Sequence, residues 1–143
     1  MTFAITGANG FLGVHIIHHL LKQGLTVRAI ARPGASLAEF DKVKEFYNLT
    51  PDSYATLTWH ECVLYDTEEL DLIFSGVDYV MHLAGVISYI EKDFNRLLEV
   101  NQQYTANVVN VAKDAGVTKL LYCSSIAAIA KSGTEDQLGL TVV

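Results

Sequence analysis

Cysteine is scarce in this chain: 143 residues hold only Cys62 and Cys123, far apart in sequence. They make no CxxC or zinc-ligand pattern, which excludes a disulfide framework or a metal knuckle and leaves the expectation of two free, buried thiols in a reducing compartment. Positive charge is also short, with ten Lys and Arg against sixteen Asp and Glu, a net charge of -6 and a pI of about 5.2. The ten basic residues are scattered, so no face matches a phosphate backbone and nucleic acid is excluded as a partner. Every apolar run is broken before about 18 positions, so no membrane-spanning segment is expected. The first residues enter a strand at once, without the pattern of a signal peptide, and the expected location is the cytoplasm. What the chain does have is apolar material, 50% of its residues, enough for one domain with a core of its own.

The organising stretch is Thr6–Gly13, TGANGFLG, between the apolar run Phe3-Ala4-Ile5 and the amphipathic run Val14–Leu21. A strand, a glycine-punctuated turn and a helix in that order form a phosphate-binding signal. Gly7 suits a sharp turn, Gly10 lets the main chain approach a pyrophosphate, and Gly13 allows the first helical turn to pack closely. Asn9, Phe11 and Leu12, between these glycines, complete the candidate cofactor loop.

In the helix that follows, Leu12, Ile16 and Leu20 recur with Ile17 and Leu21 beside them, a stripe expected to face a sheet, and Gly24 stops it. His15, His18, His19 and Lys22 fall mostly on the opposite side. His15 and His19 have the spacing of a metal pair but no acid between them as in HExxH, so they read as a solvated face and no metal site is expected. Leu25–Ala31 is a second strand. Its tip is where a dinucleotide fold meets the adenosine ribose, and in place of an acid it carries Ala31 followed by Arg32. A guanidinium matches a 2′-phosphate in charge and shape, which favours NADP(H) with Arg32 as ligand. NAD(H) stays open, as does the plain reading of Arg32 as a solvated loop residue. Arg28, in mid-strand, is the weaker candidate.

A surface helix is expected within Ala35–Asn48, a turn at Thr50–Ser53, a third strand at Thr56–Leu64 and a short helix capped by Asp66 and ended by Gly76. Strand four is Val77–Leu83. A long helix, Asp93–Ala115, carries one stripe from Leu97 through Asn101, Tyr104, Thr105, Val108 and Val109 to Ala112. Asn101 is the polar residue in that stripe. It either pairs with main chain of a neighbouring strand or orders water near a cofactor. Strand five is Leu120–Ser125. The alternation implies an α/β, Rossmann-type doubly wound parallel sheet of order 3-2-1-4-5, truncated after the fifth strand, over residues 1–130, with 131–143 an unplaced tail. A ligand is expected beyond the ends of strands one and four, between TGANGFLG and His82-Leu83-Ala84-Gly85.

Five motifs in this order resemble the N-terminal half of an extended short-chain dehydrogenase/reductase, the NAD-dependent epimerase/dehydratase group, and within it the dihydroflavonol-reductase-like branch. TGANGFLG is similar to TGxxGxxG, VRAIARPG to the second-strand end, GVDYVMHLAG to GVDxVxHLAA, Asn101–Ala112 to NxxGTxNxxxAA, and LLYCSSIAAIA to the serine-containing fifth strand. The resemblance implies that Gly7, Gly10 and Gly13 hold the pyrophosphate, that Arg32 meets the adenosine phosphate, and that Ala84 and Gly85 line the cofactor. Ser125, or its neighbour Ser124, is then the catalytic serine that hydrogen-bonds a small carbonyl or hydroxyl substrate.

Three departures qualify it. The family's adenine-binding Asp corresponds to Cys62, with Asp66 the nearest acid, and the family's glycine in the long helix is Tyr104. The family's chemistry also uses a tyrosine with a lysine four residues later, and no Tyr of this chain has one. The catalytic helix and the C-terminal substrate domain are expected to be missing, and the chain alone to be inactive. Two readings follow. One is the cofactor-binding portion of a carbonyl reductase or epimerase/dehydratase; the other is a non-catalytic dinucleotide-binding or redox-sensing module. Strand five, left as an apolar edge, implies self-association.

Overall fold

The computed structural model describes residues 1–125; the end of the fifth motif, the 130 boundary and the 131–143 tail lie outside them. Five parallel strands form one sheet in the order β3-β2-β1-β4-β5: β1 (Thr2–Thr6), β2 (Thr26–Ala31), β3 (Leu57–Glu61), β4 (Tyr79–His82) and β5 (Lys119–Tyr122). This is the predicted order. The helices are α1 (Phe11–Lys22), α2 (Ala38–Tyr47), α3 (Thr67–Phe74), α4 (Phe94–Leu98) and α5 (Thr105–Asp114). The strand-to-helix alternation places them on both faces of the sheet.

Successive β1 residues point to opposite faces, and each face has its own core. Ala4 belongs to the cluster built with Ile30, Leu70, Phe74, Val80 and Val108 under α3 and α5. Ile5 belongs to the cluster with Val14, Ile17, Val27, Ala29 and Phe40 under α1 and α2. Both faces of β1 are therefore dry, as its unbroken apolar run requires.

Three local expectations are corrected. His18, placed by periodicity on a solvated face, is fully buried, because α2 and the 3-10 turn Pro51–Thr56 cover that side of α1. Its ring stacks on Tyr47 (5.1 Å between centroids) and packs against Phe40 and Tyr54. Burial pulls its pKa down, opposed by its Nδ1–H bond to the Val14 carbonyl. Leu12, expected to face the sheet, is instead exposed on the first turn of α1. Cys62 is buried but Cys123 is exposed, because β5 has no neighbour on its outer side among the described residues.

The long helix is not continuous α-helix. Between α4 and α5 lies a π-helical stretch, Glu99–Tyr104, whose wider turn brings residues five apart onto one face. Tyr104 uses this to donate its hydroxyl to Glu99 Oε1 at 2.8 Å. Tyr104, at the position of the family's glycine, ends this stretch with its ring packed against the core under α3 and α5.

Candidate functional site: a cavity at the strand C-termini

The turn after β1 is glycine-dependent at two positions. Gly7 has φ +67°, and a Cβ there would stand 2.7 Å from the Ala84 backbone nitrogen. At Gly13 the obstruction is the turn itself, with the Gly7 carbonyl oxygen at 2.5 Å. The turn is closed by Gly10 N–H donating to Gly7 O (3.0 Å) and tied to β2 by Ala8 N–H donating to Ile30 O (3.2 Å). Gly10 is the N-cap of α1. No side chain caps that terminus, and its first turn holds no acid, so its backbone N–H groups and positive dipole end are left for an anion.

Opposite the turn, the end of β4 is held by a buried polar chain. Ala84 N–H donates to Thr6 Oγ1 (3.3 Å), Thr6 Oγ1 meets His82 Nδ1 (2.6 Å), and His82 Nε2 meets Thr105 Oγ1 (2.9 Å). A neutral imidazole donates at one nitrogen and accepts at the other, and each hydroxyl can do either, so the chain is satisfied in either tautomer. Burial pushes the His82 pKa down to about 4 and keeps the ring neutral. Beyond it, Asn101 forms two bonds with Val86, accepting its N–H at 2.9 Å and donating to its carbonyl at 2.8 Å. This is the main-chain alternative expected for Asn101, made to the loop after β4 and not to a strand.

Between these walls lies a cavity of about 560 Å³. Of the residues expected at a cofactor site, Gly7, Asn9, Gly10, Arg32, Cys62, Ala84 and Gly85 line it. Phe11, Leu12 and Gly13 do not: the first two are exposed, while Gly13 is buried against the turn. Ser124 and Ser125 lie past the end of β5, exposed and outside the cavity lining, beside the stacked rings of His82 and Tyr122 (5.4 Å).

Arg28 in β2 and Arg32 just after it have separate fates. Arg28 donates from Nη1 to the Ile73 and Ser75 carbonyls, at 2.6 and 2.7 Å, closing the C-terminus of α3. Arg32 is exposed at the cavity rim, and its guanidinium has no partner among the described residues. Asn9 donates to the Ser36 carbonyl (3.3 Å) and links the glycine loop to the segment after Arg32. Asp66 is the N-cap of α3, its Oδ1 accepting from Glu69 N–H (3.0 Å), and it is not among the residues that line the cavity. Cys62 takes its expected place in the wall, its thiol donating to Val63 O (3.3 Å) and raised by burial to about 11.

Sequence reasoning passed over Arg96, Glu99, Tyr65 and the Thr6–His82–Thr105 chain. The charged lining residues are Arg32, Arg96 and Glu99, two cations to one anion in a protein of net charge -6. Periodicity could not find them, since Arg96 and Glu99 are exposed helix residues that only the packing of α4 turns toward the cavity. Among the described residues no three His, Cys, Asp or Glu could hold a metal ion, and no helix is long and apolar enough to cross a membrane.

The closeness of backbone at Gly7 and Gly13, the uncapped helix and the excess cation fit a dinucleotide phosphate. Comparison with known proteins agrees. Residues 3–141 match the family model described as NAD dependent epimerase/dehydratase family. Cinnamoyl-CoA reductase 1 of Petunia hybrida is 30% identical over 92% of the chain and 37% of its own length. The dihydroflavonol 4-reductase of Callistephus chinensis is 30% identical over 90% of the chain and 35% of its own. Among solved structures, the UDP-glucose 4-epimerase of Bifidobacterium longum, in complex with NAD+ and UDP, has the same fold, with a TM-score of 0.75 at 22% identity over 96% of this chain and 40% of that one. The chain thus spans little more than a third of the length of these relatives. With the glycine turn, the strand order and the family match in agreement, this chain belongs to the NAD-dependent epimerase/dehydratase family.

Proposed function

We propose that the cavity holds NADP(H), and that the chain is the cofactor-binding portion of an oxidoreductase that moves a hydride between NADPH and a small carbonyl or hydroxyl substrate, as in dihydroflavonol-4-reductase-like carbonyl reductases. The observation that carries this is the sharing of one cavity by the uncapped start of α1 and the guanidinium of Arg32, which has no partner among the described residues. Gly7, Asn9 and Gly10 face the pyrophosphate, the backbone N–H groups of Phe11 and Leu12 at the start of α1 point their dipole toward it, and Gly13 lets that turn pack closely. Arg32 takes the 2′-phosphate, and Ala84 and Gly85 line the nicotinamide side. When bound, the cofactor supplies or accepts the hydride. Ser124 or Ser125 orients the substrate oxygen beside it.

The chain by itself turns over nothing, because no Tyr in its sequence has the Lys at i+4 that would make it a proton donor. That same feature favours the second reading, a non-catalytic dinucleotide-binding or redox-sensing module. The cytoplasm is the compartment either reading uses, with neither membrane nor nucleic acid as partner. Titration of the pure chain with NADPH and with NADH tests the cofactor assignment. A preference for NADPH that disappears in Arg32→Ala is expected, and equal weak binding of both would sink it. Steady NADPH oxidation with any aldehyde or ketone would overturn the inactivity of the isolated chain.

A further inference from the structure

One wall of the cavity is aromatic. Tyr65, in the loop after β3, and Tyr104, at the end of the π-helical stretch, both line it, with ring centroids 5.9 Å apart and planes at 57°. At that tilt the two rings form an angled aromatic corner and not a single plane. Tyr104 is fixed at both ends, its ring packed against the α3–α5 core and its hydroxyl on Glu99. Tyr65 is 63% exposed, a large ring kept at the rim of an apolar cavity by its neighbour.

The backbone beneath is equally fixed. Cys62 N–H donates to the Ala31 carbonyl (2.9 Å), Asp66 N–H to Val63 O (2.9 Å), and Asn107 Nδ2 to Leu64 O (3.1 Å). Two carboxylates lie nearby, each with one oxygen engaged: Asp66 Oδ1 caps α3, and Glu99 Oε1, on the acid among the lining residues, receives the Tyr104 hydroxyl. A flat ring entering here meets the rings of Tyr65 and Tyr104 and the side chains of Ile30, Val63 and Leu64, and the one carboxylate among the described lining residues, Glu99, is engaged through Oε1 by the Tyr104 hydroxyl. The Ala31–Cys62 bond also sets this wall beside the β2 end that carries Arg32, the phosphate ligand of the adenosine half.

We infer that Tyr65 and Tyr104 form the binding surface for the adenine ring, which is recognised by stacking and not through a carboxylate. This rests on the dinucleotide reading above. Stacking a base on an aromatic side chain is sequence-tolerant and strong enough to change affinity by about tenfold or more when the ring is removed.

The test is calorimetric titration of the full chain with three probes: NADPH, adenosine 2′,5′-bisphosphate and reduced nicotinamide mononucleotide. Tyr65→Ala, at an exposed site where folding is not at risk, weakens the first two by about tenfold or more and leaves the mononucleotide unchanged. Tyr65→Phe keeps wild-type affinity because the ring remains, and Tyr104→Phe, which keeps its ring but loses the Glu99 anchor, weakens NADPH less than Tyr65→Ala does. Unchanged adenosine bisphosphate affinity in Tyr65→Ala overturns the stacking surface while leaving dinucleotide binding intact. A wild-type chain that binds none of the three overturns the dinucleotide reading, and this inference with it.

Discussion

Thr6 Oγ1 lies 2.6 Å from His82 Nδ1, joining the last residue of β1 to the last residue of β4 through their side chains. Both residues are fully buried, and the same Thr6 oxygen accepts the N–H of Ala84. The two walls of the cavity are thus held at a fixed separation by one threonine and one neutral imidazole, with Thr105 of α5 completing the set. A buried network of this kind stabilises only while every member is satisfied.

Acid should loosen it. The His82 imidazole titrates near 6.5 when unfolded and near 4 when folded, so between those values the unfolded chain binds more protons and stability falls as pH falls. The contribution is fully present above about pH 6.5, and its loss amounts to roughly 3 kcal/mol once pH drops below the folded value. His18 is shifted the same way. Urea midpoints measured from about pH 7 to about pH 4.5 should decline, and His82→Gln should flatten part of the decline. Equal midpoints at the two ends would refute a buried neutral His82.

Gly7 and Gly24 share a positive φ, +67° and +70°, but only Gly7 has backbone within 4 Å of a built Cβ. Gly24→Ala should therefore cost only the left-handed penalty, about 1 kcal/mol, whereas Gly7→Ala adds a clash with Ala84 and should cost about 3 kcal/mol or more. Melting temperatures of the two variants give the comparison, and equal losses would mean that the turn and the β4 loop are farther apart than described.

Arg28 and Arg32 should separate stability from cofactor choice. Arg28→Met removes both bonds to the C-terminus of α3 and is expected to destabilise by about 1–3 kcal/mol with the NADPH-to-NADH ratio unchanged. Arg32→Ala should leave the unfolding midpoint within about 0.5 kcal/mol, since the side chain is exposed. A change of cofactor ratio in the Arg28 variant would assign the phosphate to the wrong arginine.

Among the described residues β5 is an edge strand with Leu121 and Tyr122 half exposed, and Ile87, Tyr89 and Ile90 before α4 and Phe94 at its start are exposed. Apolar edges of this kind pair with other chains, so the protein at tens of micromolar should sediment as more than a monomer. A Leu121→Lys change should shift it toward monomer; a wild-type chain that is cleanly monomeric counts against the expectation.

Local chemistry was enough for the glycine turn, the stops at Gly24, Gly76 and Gly116, the Asp66 cap and the strand order, because turns, caps and right-handed crossovers depend on a few adjacent residues. It was also enough to bring Gly7, Gly10, Arg32, Ala84 and Gly85 to one crevice, since a doubly wound sheet puts the ends of β1, β2 and β4 side by side. Contacts between elements distant in sequence settled the rest. Periodicity on α1 alone cannot tell that α2 and a 3-10 turn will close over His18, nor that Cys123 will sit on an uncovered edge. The occupation of Asp66 and Arg28 as helix caps, the π-helical detour around Tyr104 and the aromatic wall it makes with Tyr65 depend on which groups meet across the cavity. TGANGFLG by itself determined the glycine turn and the uncapped start of α1 at one end of the cavity; only the packing of β3, α4 and α5 around it decided what lines the rest.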